Sequence, residues 1–373
     1  LTRRAALRSL VLLGLSLLFA ACSSDKPKPT PLQNYTPKIS ATQVWRATVD
    51  SIGFGLLPTV RDGVLFLASS DGDVTALRTD TGAIVWRTSA QGRIAAGVGS
   101  DGRYTSVVTR GNEVVTFDGP KEVWRQRVPS AVVTPPLVAG ERVFVLSVDR
   151  AVRAFDERDG RRLWSFERPG DALTLSEPGV VVPFHNTLLV GQGPRLTALD
   201  PLRGTEAWSV PMASPRGSNE VERLADLVGP PVRLGDRFCV RAFQSAVACA
   251  DAAQGTLLWS RNAGGMRAVA GDADVVVGAD ASDRITAWRA ATGDILWTNE
   301  KLLYRGLSGA LAAPGSIVFG DADGWVHFLS PSTGELQLRL PTNGKPVIGT
   351  PVLSGDLIIV VSRNGDLFAF RRT

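Results

Sequence analysis

Histidine, methionine and cysteine are scarce in this chain of 373 residues, at two, two and three copies. Two histidines cannot build a three-histidine metal site, and three cysteines cannot build an all-cysteine tetrahedral zinc site. No glycine-rich phosphate loop, His–Cys pair or Ser–His–Asp spacing stands out. His185 and His327 are 142 residues apart, and His327 lies within a repeated strand pattern, which makes it a strand histidine rather than a ligand. An excess of one charge is missing too. The formal net charge is +5, but Arg3, Arg4 and Arg8 sit in a segment expected to be removed; without them 38 basic residues face 36 acidic ones. That balance offers no electrostatic case for nucleic-acid binding. Long apolar runs are absent as well: the uncharged stretch 10–21 is twelve residues, too short to span a bilayer comfortably. Glycine (38) and proline (23) are plentiful, and 44% hydrophobic with 21% charged residues is a globular composition.

The N-terminus has the form of a secretory leader: a basic n-region, the apolar run, and small residues Ala20 and Ala21 before Cys22. The ending LFAAC at 18–22 resembles a bacterial lipobox, with Phe19 where leucine is usual and Leu18 one position earlier. On this reading residues 1–21 are a lipoprotein signal peptide and Cys22 is acylated. The alternative is an ordinary signal peptide cut nearby, with Cys22 incidental. Ser23 and Ser24, rather than an aspartate, follow the cysteine, which favours the outer membrane as destination. Residues 25–38, DKPKPTPLQNYTPK, carry four prolines and favour extended polyproline II. Residues 22–40 are therefore expected to be a lipidated cysteine and tether, in which the fourteen residues 25–38 could reach about 40 Å at roughly 3.1 Å per residue.

The remainder is one repeat. Trp45, Trp86, Trp124, Trp164, Trp208, Trp259 and Trp297 recur at spacings of 41, 38, 40, 44, 51 and 38, and Leu338 takes the next place. A turn glycine lies four residues before most of them: Gly82, Gly160, Gly204, Gly255 and Gly293, with Gly334 before Leu338; Gly119 lies five before Trp124. Before each turn runs a short alternating strand, such as VTAL at 74–77, LTAL at 196–199 and VHFL at 326–329, and an eighth copy, LFAF at 367–370, lies near the end. Alternation of period two between glycine turns signals strands and hairpins. With two further strands upstream in each unit, this gives four antiparallel strands per ~40 residues, the propeller period.

Residues 41–373 hold eight such units. The last lacks its glycine turn and tryptophan strand, and the N-terminal strand QVWR at 43–46 supplies what is missing. The expected fold is all-β: a single eight-bladed propeller over 41–373, closed by its two terminal strands, with no free edge at the seam. The tryptophans are expected to pack between blades. Trp288 and Trp325, off the register, read as core or surface fillers. Asp118, Asp156, Asp200 and Asp251 recur where the strand meets the turn, which reads as turn chemistry.

The repeat A-[LF]-D-x-x-T-G-x-x-x-W resembles the pyrroloquinoline-quinone-type propeller repeat, and lacks the Trp-Asp pair of WD40. With the lipobox and tether, the chain resembles the BamB family of lipoproteins of the bacterial outer-membrane β-barrel assembly (BAM) machinery. The most specific stretch is GSNEVERLADL at 217–227, where the tryptophan spacing swells to 51. The resemblance implies a non-catalytic scaffold with no cofactor, anchored at the periplasmic face of the outer membrane. It would dock on periplasmic domains of BamA and aid insertion of outer-membrane proteins. It also implies two docking loops. In one, Leu173 and Leu175 match the family's leucines while Ser176 stands in place of arginine; in the other, Asp226 matches an aspartate while Val228 replaces a second. Plain loop packing for the leucines, and a turn or cap for Asp226, remain open.

Two other classes are the alternatives: a quinone-dependent dehydrogenase, which the same repeat builds, and an envelope solute-binding propeller. The former resembles larger propellers with adjacent cysteines, which this chain lacks. Cys239 and Cys249 are expected as free buried thiols. If a two-residue turn pairs Phe243 with Ala246, the cysteines fall on opposite faces of the sheet and no bridge fits. A one-residue bulge in that turn would reverse the parity.

Overall fold

The computed structural model describes residues 27–168, 173–215 and 217–372; the leader and Cys22 lie outside the described residues. Thirty-two strands form eight four-stranded antiparallel sheets, with no helix among the described residues. The sheets are the blades of the expected propeller. The first seven, at 59–89, 94–127, 137–166, 181–211, 227–262, 270–299 and 311–341, each take their strands in chain order. The eighth is made by both ends of the chain: Ala41–Thr48 pairs as outermost strand with Asp366–Arg372, from Ala41 opposite Arg372 to Thr48 opposite Asp366.

The innermost strands vary in length, from two residues at Ala270–Gly271 and three at Leu137–Ala139 to eight at Leu227–Leu234 and Val347–Ser354. At the third blade the cause of the short strand is Pro135 and Pro136, which lack the N–H a ladder needs. The second and third strands alternate and are buried on both faces, because blades pack on both sides. Eight apolar clusters follow, each shared by two consecutive blades.

The tryptophans hold these junctions together from outside. The ring of Trp124 lies against Gly160 of the next blade, so closely that a Cβ there would stand 2.6 Å from it. The same contact joins Trp45 to Gly82, Trp164 to Gly204, Trp208 to Gly255, Trp259 to Gly293 and Trp297 to Gly334. Five indole N–H groups also donate to a carbonyl of that next turn: Trp45 to Thr79, Trp124 to Glu157, Trp164 to Pro201, Trp259 to Ala290 and Trp297 to Pro331, at 2.7–3.0 Å. Trp86 departs because the next turn is shortened, Asp118 pairing with Lys121. Its glycine, Gly119, has nothing within 4 Å of a Cβ, and Trp86 packs on Phe66 instead. Leu338 faces the seam, where no glycine turn follows. Trp288 is buried in the junction between the fifth and sixth blades, and Trp325 is half-buried. Asp156, Asp200 and Asp251 each accept backbone N–H groups two or three residues on, as turn residues do.

Two expectations need correction. The hairpins between second and third strands are not two-residue turns. The pairs Ala68–Val74, Val108–Val114, Leu146–Val152, Ala279–Ile285, Gly320–Val326 and Val361–Leu367 each leave an odd number of residues in the loop; only Gln192–Arg195 leaves two. In these odd loops a turn is followed by a left-handed residue, such as Gly72, Asn112, Arg150 or Gly365. The cysteine hairpin is odd as well: Ala242 pairs with Ala246, Gln244 takes φ 49, and Cys239 lies directly opposite Cys249. The two form a disulfide, fully buried. The added loop residue returned both side chains to one face. The second correction concerns the tether. From Thr30 onward it lies against the seventh blade, with Thr30 N donating to Leu303 and Lys38 N to Gln337.

The seam rests on Asp366, which is 4% exposed. Its carboxylate accepts hydrogen bonds from Thr48 (2.7 Å) and Arg46 (2.8 Å) of the N-terminal strand and from Asn343 (2.6 Å) and Asn364 (2.9 Å). Burial pushes the carboxyl up, but these donors outweigh it and bring it down to about 2.

Gly160→Ala is expected to cost the left-handed backbone penalty of about 1–2 kcal/mol and, in addition, about 1–3 kcal/mol for crowding the Trp124 ring. Gly119→Ala, at a similar φ with open space, should cost only the first; denaturant titration of both separates them. The seam carboxylate yields a second expectation. A depressed carboxyl adds stability that is present above the unfolded value near 3.9 and lost as pH falls toward 2. Between pH 6 and pH 2 the parent chain should therefore lose about 2 kcal/mol more than Asp366→Asn does, measured by unfolding at each pH.

Candidate partner-docking site on the loop face

Antiparallel strands put all inter-blade connections, and the hairpins just described, on one face of the ring. A cavity of about 470 Å³ opens there, lined by segments of several connections, among them Ser176, Glu177, Met266, Arg267 and Gly306. Three consecutive connections, between the strands of 162–166 and 181–184, of 206–211 and 227–234, and of 256–262 and 270–271, meet here, and their described irregular backbone must be held by side chains.

Asp226 holds the first two together. Its Oδ2 accepts the Leu175 N–H at 2.7 Å, across 51 residues of sequence. Arg150, from the neighbouring hairpin, donates to the Leu173 carbonyl at 3.3 Å and lies 3.8 Å from the other Asp226 oxygen. Both charged side chains are largely buried, at 14% and 16% exposure. Burial pushes the Asp226 carboxyl up, and the Leu175 N–H and Arg150 partly offset this. The carboxylate is thus committed inside the protein, in the capping role left open from sequence.

The segment it holds presents its residues differently. Leu173 is 37% exposed, Ser176 is exposed and Leu175 is half-buried. Val228, expected alongside them, is 3% exposed and sits in strand Leu227–Leu234 opposite Arg241. A valine at that place is taken into the fold, so its side chain is not part of the exposed surface. Within the 217–227 stretch, residues 220–223 form a turn: Asn219 Oδ1 accepts the Glu222 N–H at 2.9 Å, and Glu222 Oε2 accepts the Ser218 N–H at 2.7 Å. These reciprocal bonds follow the logic of a capping box, and they leave Val221 71% exposed at the tip.

The third connection was not foreseen from sequence. Arg241 is fully buried and donates to the carbonyls of Ala263, Gly264, Arg267 and Ala279 at 2.8–2.9 Å. Burial lowers its pKa to about 10, against a weak pull from Asp280. The loop it holds sends Arg267 to Glu177 at 3.2 Å and leaves Met266 42% exposed. Arg150, Glu177, Arg241 and Arg267 thus link three connections into one surface. The spacing of residues carries no signal of these links, since each spans 22 to 90 positions.

Fold and repeat define the class first: a closed eight-bladed propeller of pyrroloquinoline-quinone-type repeats. The same architecture appears in a quinohemoprotein alcohol dehydrogenase from Comamonas testosteroni, with a TM-score of 0.68 at 15% identity over 89% of this chain and 76% of that one. At that identity the likeness concerns the fold alone. Within the class the assignment is narrower. The family described as outer membrane protein assembly factor BamB matches residues 38–87 and 70–299. BamB of Burkholderia pseudomallei is 34% identical over 95% of this chain and 95% of its own length, and BamB of Bordetella pertussis is 33% identical over 97% and 96%. The crystal structure of BamB from Moraxella catarrhalis superposes with a TM-score of 0.82 at 24% identity, over 89% of this chain and 100% of that one. The chain belongs to the BamB family.

Removing the Asp226 carboxylate is expected to free the first loop without unfolding the ring. In Asp226→Ala, amide exchange at Leu175 should accelerate at least tenfold, as loss of a hydrogen bond to a charged group worth about 1.5–3 kcal/mol requires. Amides of the second and third strands should be unchanged in the same experiment.

Proposed function

We propose that this protein is a non-catalytic scaffold of outer-membrane protein assembly, anchored through a lipidated Cys22 at the periplasmic face of the outer membrane. In this reading it docks on periplasmic domains of BamA within the BAM complex and aids folding and insertion of outer-membrane proteins. Family membership supports the role. The observation that carries the docking surface is the Asp226–Leu175 hydrogen bond, which brings two loops distant in sequence to one place and leaves Leu173 at the surface. The contact is apolar in character: Leu173 and Leu175 supply it, Ser176 borders it, and Asp226 positions it from beneath.

Interfaces concentrate their energy in few residues, at about 2 kcal/mol or more each. Leu173→Asp and Leu175→Asp should each reduce recovery of BamA from detergent-solubilised envelopes by roughly thirtyfold in affinity terms. Leu202→Asp, at a residue 60% exposed on the opposite face, should leave it unchanged. Undiminished recovery with Leu173→Asp, the exposed and structurally tolerant position, would refute this docking surface.

A further inference from the structure

The expected tether is gripped by the propeller along most of its length. Thr30 is held at both backbone groups: its N–H donates to the Leu303 carbonyl at 2.9 Å, and Arg305 donates to its carbonyl at 3.1 Å. Arg305 is itself 5% exposed and paired with the fully buried Asp321 at 2.8 Å, so the grip on Thr30 belongs to a buried network that also holds His327. Leu32 then packs on the apolar cluster between the sixth and seventh blades. Tyr35 acts as a strand partner through its hydroxyl, accepting the Arg339 N–H at 2.7 Å and donating to the Arg339 carbonyl at 3.3 Å, with the Arg339 guanidinium 5.2 Å from its ring. Lys38 completes the path, its N–H on Gln337 at 2.8 Å and its ammonium on Glu335 at 2.6 Å. The segment runs antiparallel to the outermost strand Leu336–Pro341 and covers an edge that would otherwise be open.

The direction of this path matters. Leu303 and Arg305 belong to the connection whose Gly306 lines the same mouth as Ser176 and Glu177. The chain toward Cys22 therefore leaves the propeller on the loop face, the face of the docking residues, and not from the opposite side where strand Ala41–Thr48 begins. From Cys22 to Thr30 the backbone reaches at most about 29 Å at ~3.6 Å per residue, whereas a chain free as far as Ala41 would reach about 68 Å.

We propose that residues 30–40 are a strap that turns the loop face toward a lipid bilayer, by fixing the exit of the anchor beside the connection 300–310. The proposal rests on Cys22 being lipidated. The strap sets orientation and reach together: it more than halves the distance available to the anchor and places membrane and partner contacts on one side of the ring.

The full lipidated chain, in phosphatidylethanolamine–phosphatidylglycerol vesicles carrying an acceptor dye on a small fraction of headgroups, tests this. A donor dye is placed on Ala281→Cys, in an exposed turn of the loop face, or on Ser332→Cys, in an exposed turn of the opposite face. Cys239 and Cys249, buried and bonded to each other, do not label. Energy transfer in the floated fraction is expected to be at least twofold higher from position 281 than from 332. Leu32→Asp with Tyr35→Ala should abolish that difference while flotation persists. Should that variant misfold, ten Gly/Ser residues inserted between Lys28 and Pro29 keep the strap docked and lengthen the reach, and the difference should again shrink. Equal transfer from both positions in the parent chain, or a difference that survives both changes, overturns the strap. Failure of the parent chain to float overturns the lipid-anchor reading itself, and the facing with it.

Discussion

A tryptophan ring laid on a turn that has no Cβ is the contact on which this ring of blades depends. Each sheet is a wedge with apolar faces, and wedges placed side by side can slide. The ring-on-glycine contact removes that freedom at six junctions, because it is a close approach in which any side chain at the glycine would stand in the ring. At five of the six, the indole N–H also ties the ring to a carbonyl of that turn. At the two remaining junctions the device is altered for visible reasons. The shortened turn at Asp118–Lys121 leaves Trp86 without its glycine, and at the seam the chain ends replace the turn, so a leucine suffices.

A rigid ring lets irregular loops do specific work. The three consecutive connections that meet at Asp226 and Arg241 have little backbone pairing of their own among the described residues. They are held by groups buried at some electrostatic cost: the Asp226 carboxylate under Leu175, Arg150 beside it, and Arg241, whose partners are all carbonyl oxygens. A buried charge without good partners is expensive, so each of these groups fixes its loop to the geometry that satisfies it. The exposed side chains Leu173, Val221 and Met266 then sit on loops fixed from beneath; a partner docking there, as proposed, would not have to order them, which lowers the entropic cost of association.

The chain ends contribute to the same plan. Strand Ala41–Thr48 closes the eighth blade, with Asp366 gathering four donors from both sides of the seam. The segment before it covers the outer edge of the seventh blade. Closure and covering thus come from one continuous stretch, 30–48, in which every few residues a backbone or side-chain group meets the propeller.

Fold, blade number and closure were legible in the residue order because they rest on local, repeated chemistry: alternation within strands, glycine at turns of positive φ, and a large ring at constant distance from them. The BamB-type stretch at 217–227 and the leucines at 173 and 175 were legible as patterns. What they do to one another was not. That Asp226 reaches the Leu175 amide, that Arg241 shapes a third loop, and that Val228 is buried all depend on groups brought together across the ring. The cysteine pair shows how narrow the margin can be. One loop residue decides the face on which every side chain of a strand emerges, and the composition of Phe243-Gln244-Ser245-Ala246 suits either length; the pairing of Cys239 with Cys249 was decided by the backbone of the closed blade. Likewise the prolines at 27–37 permit an extended tether, but only the blade edge and the buried Arg305 decide that it lies down.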